Sequence, residues 1–282
     1  MANIYNENME KELLIAQEEI EEETSFLSKV VVAKNYDWIS KECLVAVVKV
    51  DNCEFSSNLS QIDVCGKTIL DWVLLATNGP KQVVLDDLPD FEILEKLKEV
   101  SKDKNYVFLA YSDTPFLQKA TFCKIMDYFT TSNLNALALE RGYVFKTEYL
   151  NNITELGSYV KKSFEIRDFE IVNNQYSFMR FFDFMTDRIR KYHKNNGVVL
   201  FEEETIFIDC DVEIESGVII YPNNILKGQT IIGKNTILNS GNIIENSIIE
   251  NDCKLTMSYV YGSKITSGRT VNPMSKIIEQ EV

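Results

Sequence analysis

Aliphatic residues recur every six positions along the last third of the chain. Ile208, Ile214, Ile220, Leu226, Ile232, Leu238 and Ile244 hold that step without a slip. Looser steps continue it through Ile249, Leu255, Val260, Ile265, Val271 and Ile277. Neither a helix of period 3.6 nor a lone strand of period 2 requires this spacing. A solenoid of short strands does, because each strand must turn one aliphatic side chain inward. Asn and Gly at intervening places (Gly217, Asn224, Gly228, Gly233, Asn235, Gly241) suit the tight turns between strands. Residues 206–277 therefore predict a left-handed parallel β-helix of about four coils.

Upstream the pattern alternates between strand-like and helix-like segments. CLVAVVKV at 43–50 is a nearly unbroken apolar, β-branched run, as in a strand buried on both faces. TILDWVLLAT at 68–77 reads as a helix and QVVLDD at 82–87 as a short strand. DFEILEKLKEVS at 90–101 is amphipathic, with Phe91, Ile93, Leu94 and Leu97 on or near one face. YVFLAYSD at 106–113 is a second apolar strand, and FCKIMDYFTTS at 122–132 is helical. Residues 134–145 hold strand material, and 176–193 read as a long aromatic-rich helix. Strands alternating with helices predict a parallel or mixed sheet covered on both faces. Residues 8–25 read as a glutamate-rich helix with a thin stripe of Leu13, Ala16 and Ile20, either a solvated appendage or a docking segment for a protein partner through residues 1–30. The division is then 1–42 for an acidic extension, 43–200 for an α/β domain with its linking helix, and 201–282 for the β-helix.

Composition narrows the function. In 282 residues, 45% are apolar and 26% charged, which excludes a wholly disordered chain. The net charge of −14 gives no general attraction for phosphate backbones or anionic lipid, so neither nucleic acid nor a membrane is an expected partner. No apolar run reaches the ~18–20 residues of a membrane span. The opening MANIYNENMEKELL lacks the basic start and apolar core of a secretory signal, and the expected location is cytoplasmic. The six cysteines show no C-x-x-C pair and read as reduced, mostly buried thiols. The single histidine, His193, leaves no room for a multi-histidine metal site. In RIRKYHKNNG it reads as an exposed residue at a helix C-terminus, favouring the helix dipole.

A hexapeptide β-helix after an α/β domain resembles the sugar-nucleotide transferases. The likeness is to the bifunctional bacterial N-acetylglucosamine-1-phosphate uridyltransferase / glucosamine-1-phosphate acetyltransferase. TIFIDCDVEIESGVIIYPNNILKGQTIIGKNTILNSGNIIENSIIEN at 205–251 is similar to that family's opening coils, and MSYVYGSKITSGRTVNP at 257–273 to the next. IVNNQ at 171–175 before a long helix resembles the family's V-N-N-R and linking helix. LSQIDVCGKTILDWVL at 59–74 and YVFLAYSDTPFL at 106–117 resemble its G-K segment and its strand ending in G-D-x-P-L. The implied fold is a Rossmann-like α/β nucleotidyltransferase domain followed by the left-handed β-helix.

The resemblance implies site residues, and their surroundings depart from it. Asp113 and Asn174 (or Asn173) fall where the family binds magnesium, while Gly66, Lys67 and Gly142 match substrate-binding positions. Magnesium would be a cofactor only if nucleotide binding is retained. The loop after the first strand, DNCEFSSNLSQ, carries Asp51 and Glu54 where the family has glycines, an arginine and a lysine. The family's Pro-Lys pair is Ser60-Gln61, and its uracil-reading Q-x-x-x-G-T-G has no counterpart between 78 and 106. A competing reading makes Asp113 a strand end before Pro115 and Asn174 a helix cap. Acetyl transfer is not expected, since the β-helix region contains no histidine base and the chain stops at Val282.

Three outcomes stay open at this point. One is an active metal-dependent sugar-1-phosphate nucleotidyltransferase with a divergent phosphate site, in which Lys67 or Lys81 supplies a replacement cation. The second is a catalytically degenerate relative that binds a sugar nucleotide or a protein. The third is a trimeric scaffold. The resemblance implies a homotrimer through the β-helix, with a monomer as the alternative.

Overall fold

The computed structural model describes residues 37–77, 81–157 and 159–282. The helix expected at 8–25 and the partner-docking residues 1–30 lie outside them. The described residues form two compact units, one ending at Phe181 and the other running Phe182–Val282.

The first unit is built on a five-stranded sheet. A short helix α1 (Asp37–Glu42) leads into β1 (Cys43–Lys49). A two-residue hairpin, β2 (Asp63–Val64) and β3 (Lys67–Thr68), precedes helix α2 (Ile69–Ala76). Then follow β4 (Lys81–Asp86), α3 (Asp90–Val100), β5 (Tyr106–Tyr111) and α4 (Lys119–Thr131). The hairpin β6 (Ala136–Ala138) and β7 (Tyr143–Lys146) and a single turn α5 (Thr147–Leu150) follow, and the long helix α6 (Gln175–Asn195) starts in this unit and runs on into the second. The strand order is β4-β1-β5-β7-β6. β4 and β5 run parallel to β1, and β7 runs antiparallel to β5.

The unbroken apolar run of β1 reflects burial on both faces. Cys43, Val45 and Val47 pack with Leu70 and Val73 of α2 and with Phe122, Met126 and Phe129 of α4. Leu44, Ala46 and Val48 point the other way, into Ile93, Leu94 and Leu97 of α3. Each such fully buried aliphatic side chain contributes about 1.5–3 kcal/mol. Helix α2 starts where its sequence says it should. The Thr68 hydroxyl accepts from the Asp71 N–H at 3.1 Å, and the Asp71 carboxylate accepts from the Thr68 N–H at 3.0 Å, which satisfies two N–H groups that a helix start otherwise leaves bare.

The second unit holds the left-handed β-helix, three stacks of short parallel strands. All thirteen aliphatic residues of the repeat, from Ile208 to Ile277, are buried. From Ile214 onward every step between them turns through one residue of positive φ, Asn223, Asn235 and Gly241 among them. Asn224 is not one of these turns. It is fully buried, and its Oδ1 accepts from Asn242 Nδ2 at 2.9 Å in the next coil, while Asn242 Oδ1 accepts from the Ser258 N–H at 3.0 Å. A buried amide is tolerated here because its polar atoms are paired along the ladder. The coil also starts earlier than the repeat. Val199–Leu200 pairs in parallel with Ile219–Ile220, and the left-handed Glu202 (φ 49) accompanies the longer step to Ile208 that hides this strand from the periodicity.

His193 departs from expectation. It is fully buried, and burial pulls its imidazole down to about 4, so it is neutral at pH 7 and offers the helix dipole no charge. The signal for this was in the helix. Phe181, Met185, Ile189 and His193 recur every four residues, and all four are buried, so His193 extends the apolar stripe of α6. The cysteines follow expectation: all six are thiols, and only Cys53 is not buried.

Candidate functional site

In a parallel α/β sheet, ligands meet the chain beyond the carboxyl ends of the strands. Here those ends are β1 and β5, which run side by side with Val48 opposite Tyr111. They are tied together just past the register. The Ser112 N–H donates to the Val48 carbonyl, and the Val50 N–H donates to Ser112 Oγ, both at 2.9 Å.

The loop after β1 is held by its own bonds. Asp51 accepts from Lys49 Nζ at 2.8 Å and from the hydroxyl of buried Ser60. Burial pushes the Asp51 carboxyl up, but hydrogen bonds from Lys49 and Ser60 outweigh it and hold the group below its ordinary value. The Leu59 N–H donates to the Asp51 carbonyl, and the Cys53 N–H to the Ser56 carbonyl, both at 2.9 Å. The Glu54 N–H donates to the Asn173 carbonyl at 2.9 Å. N–H groups that a glycine-rich loop would aim at phosphate oxygens are thus spent within the protein.

Past β5, Asp113 is 5% exposed, and both of its carboxylate oxygens face Arg141. Arg141 Nε donates to Oδ1 at 3.2 Å and Nη2 to Oδ2 at 2.8 Å. The guanidinium also lies over the Tyr111 ring, 4.0 Å from its centroid. Burial pushes Asp113 above the usual carboxylate value, and Arg141 offsets part of that rise. Burial pushes the Tyr111 hydroxyl up to about 12. The Asp113 carbonyl accepts from the Val172 N–H at 2.8 Å, which fixes the strand end against the segment before α6.

Asn174 starts α6. Its Oδ1 accepts from the Ser177 N–H at 2.9 Å, and its Nδ2 donates to Asn173 Oδ1 at 3.0 Å. That is a helix cap. The structure gives both Asp113 and Asn174 a protein partner. Gly142 stands beside Arg141 in the β6–β7 turn, with φ +119 and its α-carbon pressed against β5, so that an added Cβ would lie 2.3 Å from the Leu109 carbonyl oxygen. Gly66 and Lys67 lie elsewhere, in the β2–β3 hairpin. Lys67 lines a shallow surface cleft with Asp71, Leu74, Leu75 and Gln82, residues that include neither Asp113 nor Arg141. Lys81 pairs with Asp103 at 3.3 Å.

Arg141 is the residue that pattern reading missed. A signal existed: it is the first arginine of the chain, and no other occurs before Arg167 although lysines are frequent. A planar guanidinium is the side chain that matches a carboxylate with two parallel hydrogen bonds, which lysine cannot do.

No protein-family model matches the chain. Curated proteins do. The bifunctional protein GlmU of Streptococcus agalactiae serotype V is 35% identical over 140 residues, 49% of this chain and 30% of that protein. The GlmU of Clostridium botulinum (strain Eklund 17B / Type B) is 33% identical over 141 residues, again 49% and 30%. The chain resembles the bifunctional GlmU proteins. It spans about 30% of the length of these GlmU relatives. Among solved structures, a cytidylyltransferase from Leptospira borgpetersenii is similar with a TM-score of 0.41 and 10% identity, covering 55% of this chain and 94% of that one. Rv0371c from Mycobacterium tuberculosis H37Rv is similar with a TM-score of 0.39 and 12% identity, covering 51% and 99%. The sheet topology is a mixed α/β sheet followed along the chain by a left-handed β-helix, the fold class the sequence predicts. No helix among the described residues is long and apolar enough to cross a membrane.

Proposed function

We propose that this protein is a sugar-nucleotide transferase relative that binds its ligand without transferring a nucleotidyl group, and that it works in the cytoplasm as a binding or regulatory homotrimer. The observation that carries this reading is the charge at the strand ends. Nucleotidyl transfer rests on neutralising a triphosphate. The loop after β1 presents Asp51 and Glu54, its neighbouring Lys49 is paired with Asp51, and the charge of Arg141 is balanced by Asp113, which leaves no net positive charge at these strand ends. The ligand class is a sugar nucleotide, with UDP-N-acetylglucosamine first to be tried. Acetyl transfer by residues 199–282 is not part of the proposal, because they contain no histidine to act as base.

Pyrophosphate release from UTP and N-acetylglucosamine-1-phosphate with magnesium tests this directly. We expect none from the wild type, with a complete GlmU as positive control, and saturable binding of UDP-N-acetylglucosamine by calorimetry. Release that Asp113→Asn abolishes would instead establish an active transferase with a divergent phosphate site.

Trimer formation is supported by apolar side chains on the outer faces of the β-helix. Ile231 and Ile248 stand opposite each other on neighbouring strands at 39% and 42% exposure, and Ile243 is 39% exposed on another face. Adjacent exposed aliphatics mark an interaction surface. Light scattering behind a sizing column is expected to give three times the 32.5 kDa chain mass, and Ile248→Lys to lower it. A single-chain mass for the wild type would overturn the trimer.

A further inference from the structure

The family resemblance implies a divalent cation held between Asp113 and Asn174, and the residues present do not fit one. Magnesium demands near-ideal octahedral oxygen donors at about 2.0–2.1 Å, one or two of them protein carboxylates and the rest water and phosphate oxygens. Both Asp113 oxygens already accept from Arg141. Asn174 Oδ1 already accepts from the start of α6. The other acid at these strand ends, Asp51, is taken by Lys49 and Ser60. Among the described residues, no group of three or more His, Cys, Asp or Glu side chains is placed to hold a metal ion.

What stands at Asp113 is a guanidinium, and it is well built in. The carboxylate is 6% exposed and the Arg141 side chain 34%, so the pair has one buried end and one open end. Tyr111 backs the guanidinium plane, and the sharp β6–β7 turn that presents Arg141 is fixed by Gly142 against β5. A guanidinium has five N–H donors. The bonds to Asp113 come from Nε and Nη2, which leaves Nη1 and the second Nη2 hydrogen for an anion at the open end.

We propose that Arg141 is a permanent, protein-borne replacement for the divalent cation at Asp113, so that a phosphate-bearing ligand is received here without metal. This rests on the ligand-binding reading above and deepens it. The charge logic is simple. A buried carboxylate needs one cation beside it. A metal ion would bring that charge with the nucleotide, whereas Arg141 supplies it at all times and sets a fixed positive charge against Asp113 that a metal would have to displace. The consequence is a site that responds to ligand concentration and not to divalent-ion concentration.

The test uses the full chain and Mn²⁺ as probe, read by the electron-spin-resonance signal of the free ion. The wild type is expected to bind no Mn²⁺ saturably and to melt at the same temperature in Mg²⁺ and in EDTA. Arg141→Ala strips a buried carboxylate of its partner, and its melting temperature should fall by at least about 5 °C. Mn²⁺ should return part of that loss in Arg141→Ala and none in Arg141→Ala/Asp113→Asn. Saturable Mn²⁺ binding by the wild type that Asp113→Asn removes would overturn the proposal, and so would an Arg141→Ala chain that Mn²⁺ does not stabilise. If Arg141→Ala fails to fold, the wild-type titration decides alone. UDP-N-acetylglucosamine is then titrated in Mg²⁺ and in EDTA. Equal affinity is expected, and binding that needs Mg²⁺ overturns the replacement. Absence of binding under both conditions defeats the functional reading instead, while the Mn²⁺ results still judge Arg141.

Discussion

Gly142→Ala is expected to destabilise the α/β unit by about 3–5 kcal/mol, from backbone strain and overpacking together. A φ of +119 is open almost only to glycine, and the new methyl would sit 2.3 Å from the Leu109 carbonyl oxygen, a backbone atom of β5 that cannot swing aside. Since a domain has only about 5–15 kcal/mol to lose, this single methyl threatens the whole unit. The measurement is convenient. The chain has two tryptophans, Trp38 and Trp72, both in the unit ending at Phe181, so urea unfolding followed by tryptophan emission reports on that unit. A midpoint within 0.5 M or so of wild type, at the usual slope of about 1–3 kcal/mol per molar urea, would show that the turn can rearrange. The result also separates two roles for this position. The family resemblance makes Gly142 a substrate contact, whereas the structure gives it a packing role that holds whether or not a ligand binds.

Acidification is expected to cost the β-helix unit stability through one residue. Burial holds the His193 ring at about 4 in the folded chain, against about 6.5 unfolded, and neither ring nitrogen has a hydrogen-bond partner. Between those values the unfolded chain binds the extra proton, so stability rises with pH. The contribution is fully present above about 6.5 and is lost as pH falls towards 4, by which point the loss amounts to about 3 kcal/mol at 1.36 kcal/mol per pH unit. Carboxylates titrate in the same range, so the comparison is with His193→Phe. That variant should show a shallower loss of stability between pH 7 and pH 4.5, with circular dichroism following the β-helix. Because His193 is the only histidine, a carbon-13 label on histidine gives one resonance. Its titration near 6.5 in the folded protein would contradict the burial.

Most of the architecture was readable because each segment carries its own period. The sixfold aliphatic step is satisfied by a coil that turns inward once per short strand, and it holds strictly from Ile208 to Ile244, with five-residue steps entering beyond. β1 announced itself as doubly covered by lacking polar alternation, and its two side-chain sets do pack on opposite faces. His193 went astray because it was judged by its basic neighbours. The four-residue stripe from Phe181 through Met185 and Ile189 was the stronger local signal, and it placed the ring inside.

The candidate site was half readable. Asp113 and Asn174 were singled out by the family resemblance, with a strand end and a helix cap as the competing reading, and the acidic loop at Asp51 and Glu54 was plain in the letters. Periodicity and local pattern are properties of neighbours along the chain, so they reach the strands, the helix starts and the coils. The partners of a charge are not neighbours. Arg141 meets Asp113 across 28 residues only because β7 returns antiparallel to β5 and Gly142 lets the turn close onto that strand. Whether the buried carboxylate faces a guanidinium, a metal or water depends on that folding-back, and the packed sheet alone settles it.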